Sequence, residues 1–152
     1  MDVKNIFKTI CVIIALTLCS DIRAAEIRIV FIVNRENPVT QISARDLTDY
    51  YKKQKRFWPD ETPVRWVDRN PGSPERDAFL KAILKQSESS IDLYWFGQKL
   101  HSGDSMPLQV SSDEKVIEFV KSFKGAIGYI SSSNRLAGEG VKEVRIAGMP
   151  VE

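Results

Sequence analysis

The stretch that decides the fold is SSDEKVIEFVKSFKGAIGYI, residues 111–130, in which a helical pattern is followed directly by a strand pattern. Ser111 and Glu114 have the spacing of a capping box that begins a helix. The inner face of this helix is predicted to consist of Val116, Val120 and Phe123. Gly125 is expected to end it, and residues 126–130 return as a buried strand.

Three further helices are predicted upstream of this stretch. Ser43 and Asp46 resemble a capping box, and they are followed by apolar residues at helical spacing, namely Leu47, Tyr50 and Tyr51. Ser73 is a suitable N-cap, with Pro74 in the first helical position, for a helix that runs to about Lys85. Ser89 begins the third helix, which is expected to end near Gly97 or Gly103.

Strands are predicted between these helices. Residues 27–33 form a nearly continuous apolar run with many β-branched residues, which is typical of a buried strand. Val64–Val67 is a second candidate, and Val144 and Ile146 alternate with polar residues in a final strand that is expected at an edge. Strands separated by helices indicate an α/β sandwich.

The N-terminus has the pattern of a secretory signal peptide. Residues 1–8 carry two lysines against one aspartate, and residues 9–19 form an apolar run that is about half the length needed to cross a membrane. Cleavage is expected near Ala24 or Ala25, so that residues 1–25 are the signal peptide and residues 26–152 form one periplasmic domain. Attachment of lipid at Cys19 is the alternative.

Composition excludes several classes of function. Residues 1–25 contain three basic and two acidic residues of a chain whose net charge is +2, so the mature domain is nearly neutral and no nucleic-acid partner is expected. Both cysteines, Cys11 and Cys19, lie in the leader. With His101 as the only histidine, neither a usual zinc site nor a catalytic triad is expected. We therefore predict no catalytic residue, no metal and no cofactor.

Three segments together resemble the phosphate-binding proteins of ABC transporters. The first runs from Asn37-Pro38-Val39 through Leu47-Thr48-Asp49-Tyr50-Tyr51 to Phe57-Trp58-Pro59-Asp60. The second is Val67-Asp68-Arg69-Asn70-Pro71-Gly72-Ser73 with Phe79, and the third is Gly125-Ala126-Ile127-Gly128-Tyr129-Ile130. The resemblance implies a three-layer sandwich, with a central mixed sheet and helices on both faces, similar to one lobe of a type 2 periplasmic binding protein. It also implies a protein that binds rather than catalyses.

The resemblance and the helix start together predict an anion-binding site at Arg69, Gly72, Ser73 and Arg76. Unpaired amides at a helix N-terminus favour anions. Arg69 lies just before the helix and Arg76 lies one turn into it, so their guanidinium groups are expected to fork onto the same oxyanion. The chain departs from the family where Pro74-Glu75 replaces a glycine-threonine pair. Under the alternative interpretation Ser73 is only a cap, the arginines are solvated, and the Glu75 carboxylate occupies the place of the anion.

Two functions remain open at this stage. The first is recognition of phosphate or a similar oxyanion for uptake or sensing. The second is an interaction module that docks onto an envelope receptor, porin or transporter and has little affinity for a ligand. The basic run of Lys52, Lys53, Lys55 and Arg56 is a candidate contact for an acidic partner or for lipid headgroups. The oligomeric state and the identity of the anion are left open.

Overall fold

A computed structural model describes residues 28–134 and 140–148. The predicted signal peptide, residues 1–25, lies outside the described residues, as does Ile27 at the start of the first predicted strand. The strands are β1 (Ile29–Asn34), β2 (Gln41–Ser43), β3 (Arg65–Arg69), β4 (Leu108–Val110), β5 (Ala126–Ser131) and β6 (Val141–Ala147). The helices are α1 (Ala44–Tyr51), α2 (Pro74–Phe79), α3 (Glu88–Ser102) and α4 (Asp113–Ser122), with a π-helical segment at Leu80–Leu84 and a 3₁₀ turn at Ser132–Asn134.

The described strands form one mixed sheet in the order β2-β6-β1-β5-β3-β4. β1 is antiparallel to both of its neighbours, β5 and β6. The pairs β2 with β6, β3 with β4, and β3 with β5 are parallel. The parallel pairing of β3 with β5 places the strand that leads into the second resembling segment beside the strand of the third.

Side chains alternate along each strand, so both faces of this sheet present apolar residues, and helices cover both faces. Phe31 and Val33 of β1 pack in one cluster with α1, α2 and α3, whereas Ile32 packs with α4 in the other. In β5 the same alternation places Tyr129 in the first cluster and Ile130 in the second. The predicted α/β sandwich with helices on both faces is confirmed.

The structure corrects three details of the deciding stretch and the final strand. Ser112, not Ser111, caps α4, and its hydroxyl accepts a hydrogen bond from the Lys115 amide at 3.4 Å. α4 ends at Ser122, so Phe123 is extended and partly exposed instead of lining the inner face, and Gly125 is not its cap. β6 lies between β2 and β1, because the three-residue strand β2, which is too short to show a periodicity, pairs with its outer side.

The other helix starts agree with the sequence or shift slightly. Ser43 and Ser73 cap α1 and α2 as predicted. α3 begins two residues earlier than at its predicted cap, since Ser87 caps it, and it ends at Gly103, whose φ is 74°. The predicted helix from Ser73 to about Lys85 is one continuous helical stretch that changes from α to π geometry after Phe79.

Candidate anion-binding site

The start of α2 follows β3 through a tight turn. Gly72 has a φ of 79°, a conformation that glycine adopts without strain, and the Ser73 amide donates to the Asn70 carbonyl at 3.2 Å. The Ser73 hydroxyl accepts from the Arg76 amide at 3.3 Å. Pro74 has no N–H to offer. The Ser73 and Arg76 amides are thus paired within the chain, which reduces the number of donors that the helix start offers to an external anion.

Arg76 points into the protein and has no solvent-exposed surface. Its Nη1 donates to Asp68, and its Nε lies 2.9 Å from both carboxylate oxygens of Glu88, the first residue of α3. Burial alone would lower the pKa of Arg76, but the hydrogen bonds to Glu88 and the charge of Asp68 outweigh it and raise that pKa. Arg76 is therefore a permanently charged, internally paired group.

Asp68, at the end of β3, is the acceptor at the centre of a buried polar cluster. Its carboxylate accepts from the Tyr51 hydroxyl at 2.9 Å, from the Tyr129 hydroxyl and from Arg76. Burial, together with the nearby charge of Asp68, raises the pKa of both tyrosines, so each stays a neutral donor. The cluster ties α1, α2, β3 and β5 together.

Arg69 points the other way, toward the start of α4. Its Nη1 donates to Asp113, its Nη2 lies 3.3 Å from a Glu75 oxygen, and Nη2 also donates to the Ser111 carbonyl at 3.3 Å. Asp113 is held in place by the Ser131 amide at 3.1 Å and the Asn134 side chain at 2.6 Å. Arg69 is therefore buried, with only 6% of the residue exposed.

The four predicted site residues are thus adjacent, but the two guanidinium groups do not converge. Arg76 donates to the Arg69 carbonyl at 3.4 Å, while each guanidinium binds its own carboxylates. Two positive charges face four negative ones, which belong to Asp68, Glu75, Glu88 and Asp113. The formal charge of the cluster is therefore negative, and this disfavours the binding of an anionic ligand.

Sequence reasoning found part of this site. Glu75 lies against Arg69, as the alternative interpretation held, but both arginines are buried and not solvated. Glu88 and Asp113 were missed as partners, because they lie 12 and 44 residues from the arginines they bind. Their only sequence signature is an acidic residue in the first turn of a helix, which the helix dipole explains equally well.

The basic run after α1 is held within the fold. Lys55 pairs with Asp46, Arg56 forms a two-pronged bond with Asp104, and Lys53 donates to the Ser105 carbonyl at 2.7 Å. The Lys52 ammonium lies 5.0 Å from the centre of the Tyr94 ring. Lys55 and Arg56 are therefore paired with carboxylates, whereas the contacts of Lys52 and Lys53 are with uncharged groups.

No group of three or more metal-ligating side chains occurs within the described ranges, and none of their helices is long and apolar enough to cross a membrane. His101 is exposed, with Nδ1 2.9 Å from the Gly97 carbonyl.

An open groove of about 460 Å³ beside the π-helical segment is lined by Asp77, Leu80, Lys81 and residues 85–88. Two lysines and two acidic residues line this groove, so its charges balance.

The sheet order and the helices on both faces define a three-layer α/β lobe. A model described as a PBP superfamily domain matches residues 20–150. The chain therefore belongs to the PBP superfamily, whose members are typically binding proteins without enzymatic activity. A search of curated proteins finds no match.

Solved structures show the same fold. An ABC-type phosphate transport receptor from Vibrio cholerae is 20% identical, with a TM-score of 0.62 over 80% of this chain and 47% of that one. A putative phosphate ABC transporter substrate-binding protein with bound phosphate from Clostridium perfringens is 22% identical, with a TM-score of 0.62 over 80% and 46%. PstS from Borrelia burgdorferi is 15% identical, with a TM-score of 0.63 over 82% and 49%. The chain spans about half the length of these proteins.

Proposed function

We propose that this chain is a non-enzymatic binding lobe of the cell envelope that acts by docking onto another protein and has little affinity for free phosphate or similar oxyanions. The partner class is an envelope receptor, porin or transporter. The signal-peptide pattern of residues 1–25 and the relationship to periplasmic binding proteins support a periplasmic location.

One observation carries this proposal: both arginines of the candidate site are already neutralised by carboxylates of the same chain. An incoming oxyanion must displace Asp113 or Glu75 before it reaches the Arg69 guanidinium. Displacing a carboxylate gives up the ion pair that it already makes with Arg69, so the oxyanion gains only the difference between the two pairings. Contacts with an exposed helix start supply only about 3–4 kcal/mol in total, which corresponds to a dissociation constant of about 1 mM at best. The ion pair that is lost therefore offsets this gain.

Oxyanion recognition for uptake or sensing is the second candidate, and one atom favours it. Arg69 Nε is buried and lacks a hydrogen-bond partner among the described residues, although a buried donor normally has one. A related protein from Clostridium perfringens carries phosphate in its structure. Under this hypothesis an anion binds at Arg69, Gly72, Ser73 and Arg76 after the Glu75 carboxylate has moved away.

A titration distinguishes the two candidates. We expect the amide NMR signals of Gly72 to Arg76 to show no saturable shift in phosphate or sulfate up to about 10 mM, tenfold above the estimated limit. Sodium chloride at equal ionic strength is the control for screening. Saturable shifts below about 1 mM that disappear in Arg69→Met would overturn the docking proposal in favour of oxyanion recognition.

A further inference from the structure

α3 has two apolar faces, only one of which is used by the fold. Ile91 and Trp95 are buried in the cluster beneath the helix. Leu93, Phe96 and Leu100 are 71%, 62% and 70% exposed. Since a single exposed apolar residue is ordinary but a contiguous patch is characteristic of an interaction surface, these three residues, called the α3 stripe below, call for a partner.

The α3 stripe has the geometry of a helix-packing surface. Its residues are spaced i, i+3 and i+7, so at about 100° per residue they fall within an arc of about 60°. Trp95 lies about 200° from Leu93, which places the stripe on the side away from the core. The helix has 15 residues and is capped by the Ser87 hydroxyl at its start and by Gly103 at its end, so the α3 stripe lies on a regular helix that is capped at both ends.

Charges beside the α3 stripe indicate which partner fits. Asp92 and Lys99 lie on the same flank of the helix, and neither has an ion-pair partner among the residues that the structure describes. When two copies of a helix pack antiparallel about a two-fold axis, each flank meets its own copy with the residue order reversed. An axis near Phe96 places Asp92 of one copy close to Lys99 of the other, twice.

We propose that the α3 stripe binds a second copy of this chain, forming an antiparallel two-helix interface with Phe96 at the two-fold axis. Leu93 of each copy then packs against Leu100 of the other, and two Asp92–Lys99 pairs form at the rim. The proposal goes beyond the proposed function, because it adds a second copy of this chain to the partners that docking requires. One helix face buries less than the roughly 1,200–2,000 Å² of a stable complex, so we expect a dissociation constant in the micromolar range or weaker.

Sedimentation equilibrium of the folded domain from about 1 to 500 μM tests this proposal. We expect a reversible monomer–dimer equilibrium that Phe96→Asp shifts to monomer by at least about tenfold in dissociation constant. Phe123→Asp is the matched control, since Phe123 follows α4 on the opposite face of the sheet and is 36% exposed. The control should dimerise like the wild type.

A charge reversal separates a second copy from any other occupant. Asp92→Lys should weaken the dimer by opposing two lysines across each rim, and the double variant Asp92→Lys with Lys99→Asp should restore it. A monomer at the highest concentration, a dimer insensitive to Phe96→Asp, or a double variant no better than the single would overturn the proposal. Monomers that instead bind phosphatidylglycerol vesicles through Phe96 would also overturn it. None of these results changes the phosphate titration, on which the docking function depends.

Discussion

At the scale of residues, Asp68 and Arg76 form the ion pair on which the polar cluster depends. Neither side chain has any solvent-exposed surface, and each is also hydrogen-bonded to groups from other elements. A buried charge without its partner is far more costly than a paired one. The arginine that the sequence assigned to ligand binding therefore has a structural role in this fold.

Truncating Arg76 should expose this role. We expect Arg76→Ala to lower the free energy of unfolding by about 3–5 kcal/mol, because it leaves Asp68 buried without a counter-charge. Arg56→Ala, which removes the exposed pair with Asp104, is the matched control and should have a much smaller effect. Urea denaturation measures both, and equal losses in the two variants would contradict the assigned role.

Tyr129 provides a test that depends on pH. Burial raises its pKa in the folded state above the ordinary value of about 10, so the neutral phenol stabilises the fold fully below pH 10. Above that pH the unfolded chain ionises first and stability falls, by up to about 1.4 kcal/mol per pH unit for each such tyrosine.

Tyr129→Phe should therefore be less stable than the wild type at neutral pH, because its hydrogen bond to Asp68 is lost, but should lose stability less steeply above pH 10. Unfolding free energies from urea denaturation at a series of alkaline pH values give the slope. An unchanged slope would mean that Tyr129 is not the protonated donor described here.

The local features of the site were predictable from the residues, whereas its pairings were not. Ser73 and Pro74 predict a helix start, and the structure has one at that position. The direction of each guanidinium depends on where Glu88 and Asp113 arrive in space, and this is fixed by the packing of α3 and α4. Spacing along the chain between the arginines contains no information about that packing.

At the scale of elements, the glycines of the GAIGY strand act through close packing. A Cβ atom added to Gly125 would lie 1.9 Å from the Pro63 carbonyl oxygen, which belongs to the backbone and cannot yield. The carbonyl of Gly125 also accepts from the Trp58 indole at 3.0 Å and the Arg65 amide at 2.9 Å. The backbone near Pro63 therefore lies too close to residue 125, just before β5, to leave room for any side chain.

Two alanine substitutions should separate close packing from helix propensity. Gly125→Ala is expected to destabilise the domain by about 3 kcal/mol or more through backbone overlap. Gly97→Ala, inside α3 with open space around its Cα, should instead stabilise by about 0.5–1 kcal/mol. Thermal unfolding of both variants measures this, and a loss of equal size at the two positions would be inconsistent with the described packing.

Long, strongly patterned elements were predictable and short ones were not. Apolar spacing located α1, α4, β1 and β5 within a few residues, since their hydrophobic faces repeat over several positions. β2 and β4 have three residues each, so no alternation can be recognised in them. Missing β2 led to the incorrect placement of β6 at an edge.

At the scale of the whole molecule, the fold is that of one binding lobe, while the charges at its candidate site are balanced from within. The chain spans about half the length of the solved structures that it resembles. The internally paired arginines and the exposed α3 stripe are the two observations behind the docking and dimer proposals.

The thermal stability of the domain in phosphate tests the central claim most directly, since any ligand of the folded state raises the melting temperature. In about 10 mM phosphate, compared with sodium chloride of equal ionic strength, we predict no difference in melting temperature. A dissociation constant of about 10 μM would add about 4 kcal/mol of stability under the same conditions. A clear rise in melting temperature that is absent in Arg69→Met would contradict the account.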